Sequence, residues 1–542
     1  MKRIISIFVL LLFTINCIVA QNIKNVIVLI PDGTSLPVVS AARWYKEYNT
    51  GKAGLNIDPY LCGTIRTYSS NAPIGDSAPT TSCYMTGYPS RAGYVSTYPP
   101  ADPKNDIVPM DPEKAYQPLM TVFEAARITQ NKATGLVVTC EFTHATPADC
   151  SAHSYNRGKY EWIAPQIAHN KLDVVIGGGV KYLLDTDKQF LQNEGYGVFL
   201  NDINGFRNHK GNKMWALFGE VGMAYDIDRD PAKEPSLAEM TKIAIEKLSK
   251  NKNGFFLMVE GSQIDWAAHA NDAAALITEM LAFDEACGVA LDFAKADGKT
   301  VVVILPDHGN SGFSIGSNKC PSYSSLTKDQ LFGPVSKVKA GFGTITSRLN
   351  NTDPANLREV FNSLTGITLS FNDYVQIMQC SDYRRSTLAD EEKNKDSRLL
   401  NVVADIINRN NCFGFTTFGH TGEEVFLAVY DPTKNRLTGH HSNIELNHYL
   451  RKSLGLKQSL ESLTNDYFAK HTDVFVNYSF TITSKNDIPV LEIKNNNKIM
   501  EIQPNTSIVK LNGKDIRLNS VVIYVDKNNT FYLPKSLRGL MQ

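Results

Sequence analysis

Short β-branched apolar runs alternate with longer stretches of helical periodicity through most of the chain. Runs at 26–30, 135–139, 173–176, 255–259 and 301–305 read as strands, and the apolar spacing predicts helices over 36–48, 120–130, 236–249 and 272–295. Strands that alternate with helices imply an α/β fold, a three-layer αβα sandwich around a mostly parallel central sheet. A triple glycine, Gly177-Gly178-Gly179, follows the 173–176 run. It predicts a tight turn rather than a nucleotide loop, because neither G-x-G-x-x-G nor Walker spacing follows.

The alternation fails between 309 and 414, where the composition turns polar and a charged stretch occupies 382–398. This segment reads as an insertion into the sheet domain, a crown-like or cap region. The core signal returns at 416–420 and 425–430, so the expected division is 21–308 and 415–456 for the core, with 309–414 inserted. From 457 to 542 alternating runs at 473–485 and 499–533, with an Asn512-Gly513 hairpin signal, predict a linker and a small β-rich module.

Charge excludes little beyond nucleic acid as a specific partner: 55 basic residues balance 55 acidic ones. At the N-terminus Lys2 and Arg3 precede an apolar run and a small-residue stretch ending at Ala20. That pattern predicts a signal peptide over 1–20, and hence a periplasmic or secreted chain with no transmembrane segment once mature. A lipoprotein alternative through Cys17 is weaker, since Asn16 precedes it. Of nine cysteines, eight lie beyond the leader and none forms a C-x-x-C pair. Disulfides are permitted in an exported chain, but the pairing is open.

The chemistry gathers at strand ends. The 26–30 run leads into Asp32, the 255–259 run into Glu260, and the 301–305 run into Asp307-His308. In a parallel sheet the carboxyl ends of strands line the ligand crevice, so these acids should converge, and crowded carboxylates call for cations. Asp265 and His269, four apart, would share one face of a helical turn, and His420 is a further candidate ligand. Within Asp76-Ser77-Ala78-Pro79 the serine opens a predicted helix. By itself this is an ordinary N-cap, yet a metal cluster nearby would turn Ser77 into a usable nucleophile.

Five separated motifs carry a resemblance. They are the D-S-A-x-x-T block at Asp76; His144-Ala145-Thr146-Pro147 with His153, Asn156 and Arg157; Glu260-Gly261-Ser262-Gln263-Ile264-Asp265; Asp307-His308; and His420-Thr421-Gly422-Glu423. Together they resemble the alkaline phosphatase family over about 25–309 and again over 416–449. The resemblance implies a phosphomonoesterase that forms a phosphoserine on Ser77. It implies two Zn2+, one held by Asp265, His269 and His420 and the other by Asp32, Asp307 and His308, with Ser77 facing the second. It further implies one Mg2+ held by Asp32, Thr146 and Glu260, and Arg157 as the phosphate clamp. His144 and Trp266 stand where some members carry aspartate and lysine; they are expected beside the ligands, tuning the third ion. Members also form homodimers, a possibility here.

Two other readings stay open. A phosphodiesterase or sulfatase could be built on the same superfamily, although Cys83 lacks the C-x-P-x-R context a sulfatase needs. A catalytically silent surface-binding protein is the other. The tail is faintly similar to the small β-modules named after the N-terminal domain of copper amine oxidases, a similarity of fold only, which fits packing or surface attachment.

Overall fold

The computed structural model describes residues 23–320, 323–384 and 398–542; the expected leader at 1–20 and all but the ends of the charged stretch at 382–398 lie outside the described residues. Eight strands of the main sheet precede the polar region: β1 (Asn25–Ile30), β2 (Leu61–Arg66), β3 (Ala133–Glu141), β4 (Val174–Gly178), β5 (Gly197–Leu200), β6 (Met214–Leu217), β7 (Phe255–Glu260) and β8 (Thr300–Ile304). Val425–Tyr430 and Gly439–Ser442 complete a ten-stranded sheet, in the order Gly439–Ser442, β2, Val425–Tyr430, β8, β1, β7, β3, β4, β6, β5. Only Val425–Tyr430 runs antiparallel to its neighbours.

All six residues of β1 are buried. Ile27 and Leu29 face one apolar cluster and Val26, Val28 and Ile30 the other, the period-two alternation of a strand covered on both faces. Helices Leu36–Thr50, Leu237–Leu248 and Ala273–Asp297 supply Val38, Met240 and Phe283 to the first cluster. Helices Ser77–Thr86, Val122–Gln130 and Asn443–Leu454 supply Tyr84, Phe123 and Leu446 to the second. Polar residues cap these helices: Thr121, Ser236 and Asp272 each accept the backbone N–H three residues on.

Two expectations change. Gly177 and Gly178 extend β4, because a Cβ there would lie 2.5 Å from Val138 Cγ2 and 2.5 Å from the Val221 carbonyl; the turn falls to Gly179, with φ +99°. Residues 416–420 do not form a core strand. The sheet position beside β8 is taken by Val425–Tyr430, and only short pairings remain, His420–Thr421 with Gly309–Asn310 and Phe413–Gly414 with Ser314–Ile315.

Between them, helices Phe342–Asn350, Leu357–Thr365 and Arg398–Asn410 send Phe342, Phe361 and Ile407 into the first cluster, so this region is continuous with the core. A disulfide joins Cys320 to Cys412.

The C-terminal strands form an antiparallel seven-stranded sheet around Phe475, Leu491, Met500 and Phe531. Asn512 and Gly513, with φ of 49° and 78°, make the two-residue turn between Thr506–Leu511 and Lys514–Val525. Among the described residues no helix is long and apolar enough to cross a membrane.

Candidate active site

Sheet order explains why distant acids meet. β8, β1 and β7 are adjacent and in parallel register, Ile30 beside Glu260 and Leu29 beside Ile304. Asp32, Glu260 and Asp307 therefore leave the sheet at the same rim, all fully buried. Asp307 is fixed by the N–H groups of Gly33 (3.1 Å) and His308 (3.0 Å). Gly33 takes φ +60°, and a Cβ on it would lie 2.4 Å from Asp265 Oδ1, so only glycine lets Asp265 close on this rim.

Three histidines arrive already oriented. The Nδ1–H of His269 donates to the Phe418 carbonyl (2.6 Å), that of His420 to Gly75 (3.0 Å) and that of His308 to Gly309 (3.1 Å). Each Nε2 is thereby left as a lone-pair donor facing the site. His269 and His420 place their Nε2 atoms 3.2 Å apart, with Asp265 Oδ1 3.5 Å from the first and 3.9 Å from the second. His308 Nε2 lies 3.4 Å from Asp32 Oδ1 and 3.6 Å from Asp307 Oδ2.

Ser77 opens the Ser77–Thr86 helix and is 2 % exposed. Its Oγ donates to Asp32 Oδ2 at 3.4 Å and lies 3.3 Å from His308 Nε2. Asp76 occupies the cap position without a side-chain cap bond. Its carboxylate instead accepts from Arg157 Nη1 at 2.7 Å, so the motif is not a simple cap. Arg157 Nη2 donates to His144 Nε2 at 2.9 Å, and the His144 ring meets Trp266 edge-on with centroids 6.2 Å apart. Thr146, in the Ala145–Ser151 helix after β3, points its hydroxyl at Asp32 Oδ2, 3.5 Å away.

The electrostatics fit a metal cluster. Burial and the neighbouring Asp307, Asp265 and Glu260 push the Asp32 carboxyl well above its ordinary range, and burial with Asp307 lifts Glu260 to about 8. Burial alone would lower His308, yet the surrounding carboxylates raise it, while burial and His308 lower His420. One oxygen each of Asp32, Glu260 and Asp307 is buried without a hydrogen-bond partner. Unpaired buried carboxylate oxygens facing two imidazole lone pairs need positive charge between them. Asp265, His269 and His420 offer ligand atoms within 4.8 Å of one another, as do Asp32, Asp265 and His308. Nitrogen–oxygen sets of this kind suit zinc, and the purely oxygen set of Asp32, Thr146 and Glu260 suits magnesium.

The candidate metal ligands, Ser77, Arg157, His144 and Trp266 thus lie around one rim, whereas His153 turns away to Ser96, Glu124 and Phe468. Some neighbours were missed. The Asp76–Arg157 ion pair joins positions far apart in sequence, and only the fold reveals it. Asn310 donates to Asp265 Oδ1 at 2.7 Å, and Ser35 donates to Glu423 at 2.5 Å, tying the His420 segment to the first helix. Cys140 places its thiol 3.7 Å from Glu260 Oε2; its position at the end of β3 was the available signal.

A family model described as "Alkaline phosphatase" matches residues 23–456. Alkaline phosphatase 3 of Bacillus subtilis (strain 168) is 33% identical over 451 residues, which cover 80% of this chain and 89% of that protein. The structure of the cold-active alkaline phosphatase from the psychrophile Shewanella sp. is similar, with a TM-score of 0.68 at 26% identity, covering 79% of this chain and 99% of that one. A His-to-Glu mutant of the alkaline phosphatase from TAB5, solved with Mg bound in its M3 site, aligns at a TM-score of 0.55 and 25% identity over 81% of this chain and 99% of that one. With its rim of acids and histidines, its parallel sheet and these similarities, the chain belongs to the alkaline phosphatase family of hydrolases.

Proposed function

We propose that the protein is an exported phosphomonoesterase in which Ser77 Oγ attacks phosphorus. The Oγ–P bond forms as the ester P–O bond breaks, and the alcohol leaves with the proton. Water then forms the new P–O bond and returns the hydroxyl to Ser77, releasing inorganic phosphate. Asp265, His269 and His420 would hold one zinc; Asp32, Asp307 and His308 the second; and Asp32, Thr146 and Glu260 a magnesium-type ion. When bound, such ions neutralise phosphoryl charge and lower the pKa of the attacking oxygen. The magnesium reported for the TAB5 mutant supports a third site of this kind.

The chain's own groups do the rest. Asp32 orients the Ser77 hydroxyl, and burial excludes competing water from it. Arg157 has a planar fork that matches two phosphate oxygens, and it is steadied by Asp76 at Nη1 and His144 at Nη2. The helix that Ser77 opens would add its N-terminal partial positive charge toward the same anion. Export is supported by the apolar leader in the sequence and by the Cys320–Cys412 disulfide, a bond that persists in oxidising compartments.

One observation carries the reading: two imidazole Nε2 atoms 3.2 Å apart, each with its Nδ1–H already donated to a carbonyl, beside a buried serine. Neither nitrogen can donate to the other, and a cation between them resolves the repulsion. The test is hydrolysis of nitrophenyl phosphate with and without chelator, together with trapping of phosphate on Ser77. Activity that survives complete metal removal, or label on another residue, overturns the proposal. Turnover of bis-nitrophenyl phosphate at a comparable rate would favour a diesterase instead.

A further inference from the structure

The C-terminal sheet lies beyond the residues matched by the family model; it touches the core at Glu113, Arg127 and Glu194, and a further group of its contacts falls on one segment. That segment is 153–169, which carries Arg157 and then the Tyr160–His169 helix. His153 stacks edge-on against Phe468, with ring centroids 4.6 Å apart. Gln166 grips the His153 backbone twice, accepting its N–H at 2.7 Å and donating to its carbonyl at 3.1 Å; it also donates to Asn505 Oδ1 in the tail at 3.0 Å. Tyr155, two residues before Arg157, donates its hydroxyl to Asp526 Oδ1 at 2.6 Å, and Lys527 Nζ lies 5.6 Å from the centre of the same ring.

We propose that the C-terminal module positions Arg157: Asp526, Lys527 and Asn505 brace the 153–157 turn, so that the guanidinium is held in place for phosphate before substrate arrives. The inference rests on the reading of Arg157 as the phosphate clamp. The core anchors the turn as well: the His153 ring bonds the Ser96 carbonyl at 3.0 Å and Glu124 at 3.2 Å, and Asp76 and His144 hold the Arg157 guanidinium directly. Arg157 N–H donates to the Gly93 carbonyl at 2.7 Å, and Val95 pairs with Ser154. These fix the backbone on the side of Gly93 and Val95. The Tyr155 ring is held by aromatic contacts with Tyr94, Tyr116 and Trp162, and its hydroxyl reaches out to Asp526 in the module. Pre-organisation of this kind affects how tightly phosphate is held more than the rate of bond making.

The test uses the full-length, metal-loaded enzyme. For Asp526→Ala combined with Asn505→Ala, the KM for nitrophenyl phosphate and the inhibition constant of inorganic phosphate should each rise about threefold, with a smaller change in kcat. Asp526→Asn keeps an acceptor for Tyr155 and should restore both constants; Tyr155→Phe, which keeps the ring, should reproduce the loss. Arg157→Ala should raise the phosphate constant about tenfold or more, and the tail substitutions should add nothing on that background. Unchanged constants in the tail variants, with Arg157→Ala still impaired, overturn the bracing role. So does a rise that tracks loss of metal or of melting temperature. An unchanged phosphate constant in Arg157→Ala overturns the clamp assignment itself, and the bracing role with it.

Discussion

Ser77 is held by two groups that are themselves candidate metal ligands, Asp32 and His308, so the reactivity proposed for it would be a property of the cluster. Ser77→Ala places a good helix former at the first position of a helix and should leave fold and metal content intact. Turnover should fall by about a thousandfold or more, checked by initial rates beside a metal count. Trp266 works at one remove, since its ring packs on His144, which accepts from Arg157. Burial, reinforced by Arg157, pushes His144 down to about 3. A lysine in place of Trp266 would add a second positive charge beside this pair. Trp266→Lys should therefore shift the pH–rate profile or the preferred third ion, and a profile and metal content identical to wild type would refute this.

At the scale of elements, the site is built on stiff supports. The Ser77–Thr86 helix is backed by the Asn443–Leu454 helix, whose Asn447 donates to the Tyr84 carbonyl at 2.9 Å. That second helix starts with a capping box formed by Ser442 and Glu445. Ser442→Ala should lower unfolding stability by about 1 kcal/mol, measured by denaturant titration, without changing KM.

The tail meets the core partly through His169, stacked on Phe190 and within 3.4 Å of the Ser507 and Thr506 hydroxyls. Burial, with a smaller contribution from Lys171, depresses His169 to about 4. The native state thus holds the ring neutral, whereas the unfolded chain protonates it near the ordinary histidine value of about 6.5. Its contribution is present above that value and is lost as the pH falls from about 6.5 towards 4. Melting temperatures across this window should fall less steeply for His169→Gln than for wild type.

For the molecule as a whole, the proposed metals would couple to folding. Several buried carboxylates share one rim, and Asp32 and Glu260 are driven towards protonation there in the absence of cations. Chelation should lower the melting temperature by several degrees as well as abolish activity, and added zinc with magnesium should restore both. Equal melting curves with and without chelator would count against a structural share for the metals.

The α/β class was legible because the long buried strands are nearly continuous apolar runs, such as 26–30 and 301–304, separated by stretches of helical apolar spacing. The smaller strands β5 and β6 and the edge strand Gly439–Ser442 escaped notice. They are only four residues long, too short for periodicity to register. Of the two runs at which the core signal returns, only Val425–Tyr430 joins the main sheet, beside β8; the 416–420 run ends in the short His420–Thr421 pairing with Gly309–Asn310.

The sequence by itself determined that Asp32, Glu260, Asp307 and His308 leave the sheet at one rim, because they are joined covalently to the strands that deliver them. Tertiary structure alone decided how those groups are tuned. The strand order β8, β1, β7, β3 brings together residues hundreds of positions apart, for example Gly33 and Asp307, separated by 274 positions. The carbonyls that fix each histidine's tautomer, the Asp76–Arg157 pair and the grip of the tail on the Arg157 segment all depend on contacts across that order. Such contacts leave no local trace in the chain, since hydrogen-bond geometry is set by where elements pack and not by the residues beside them.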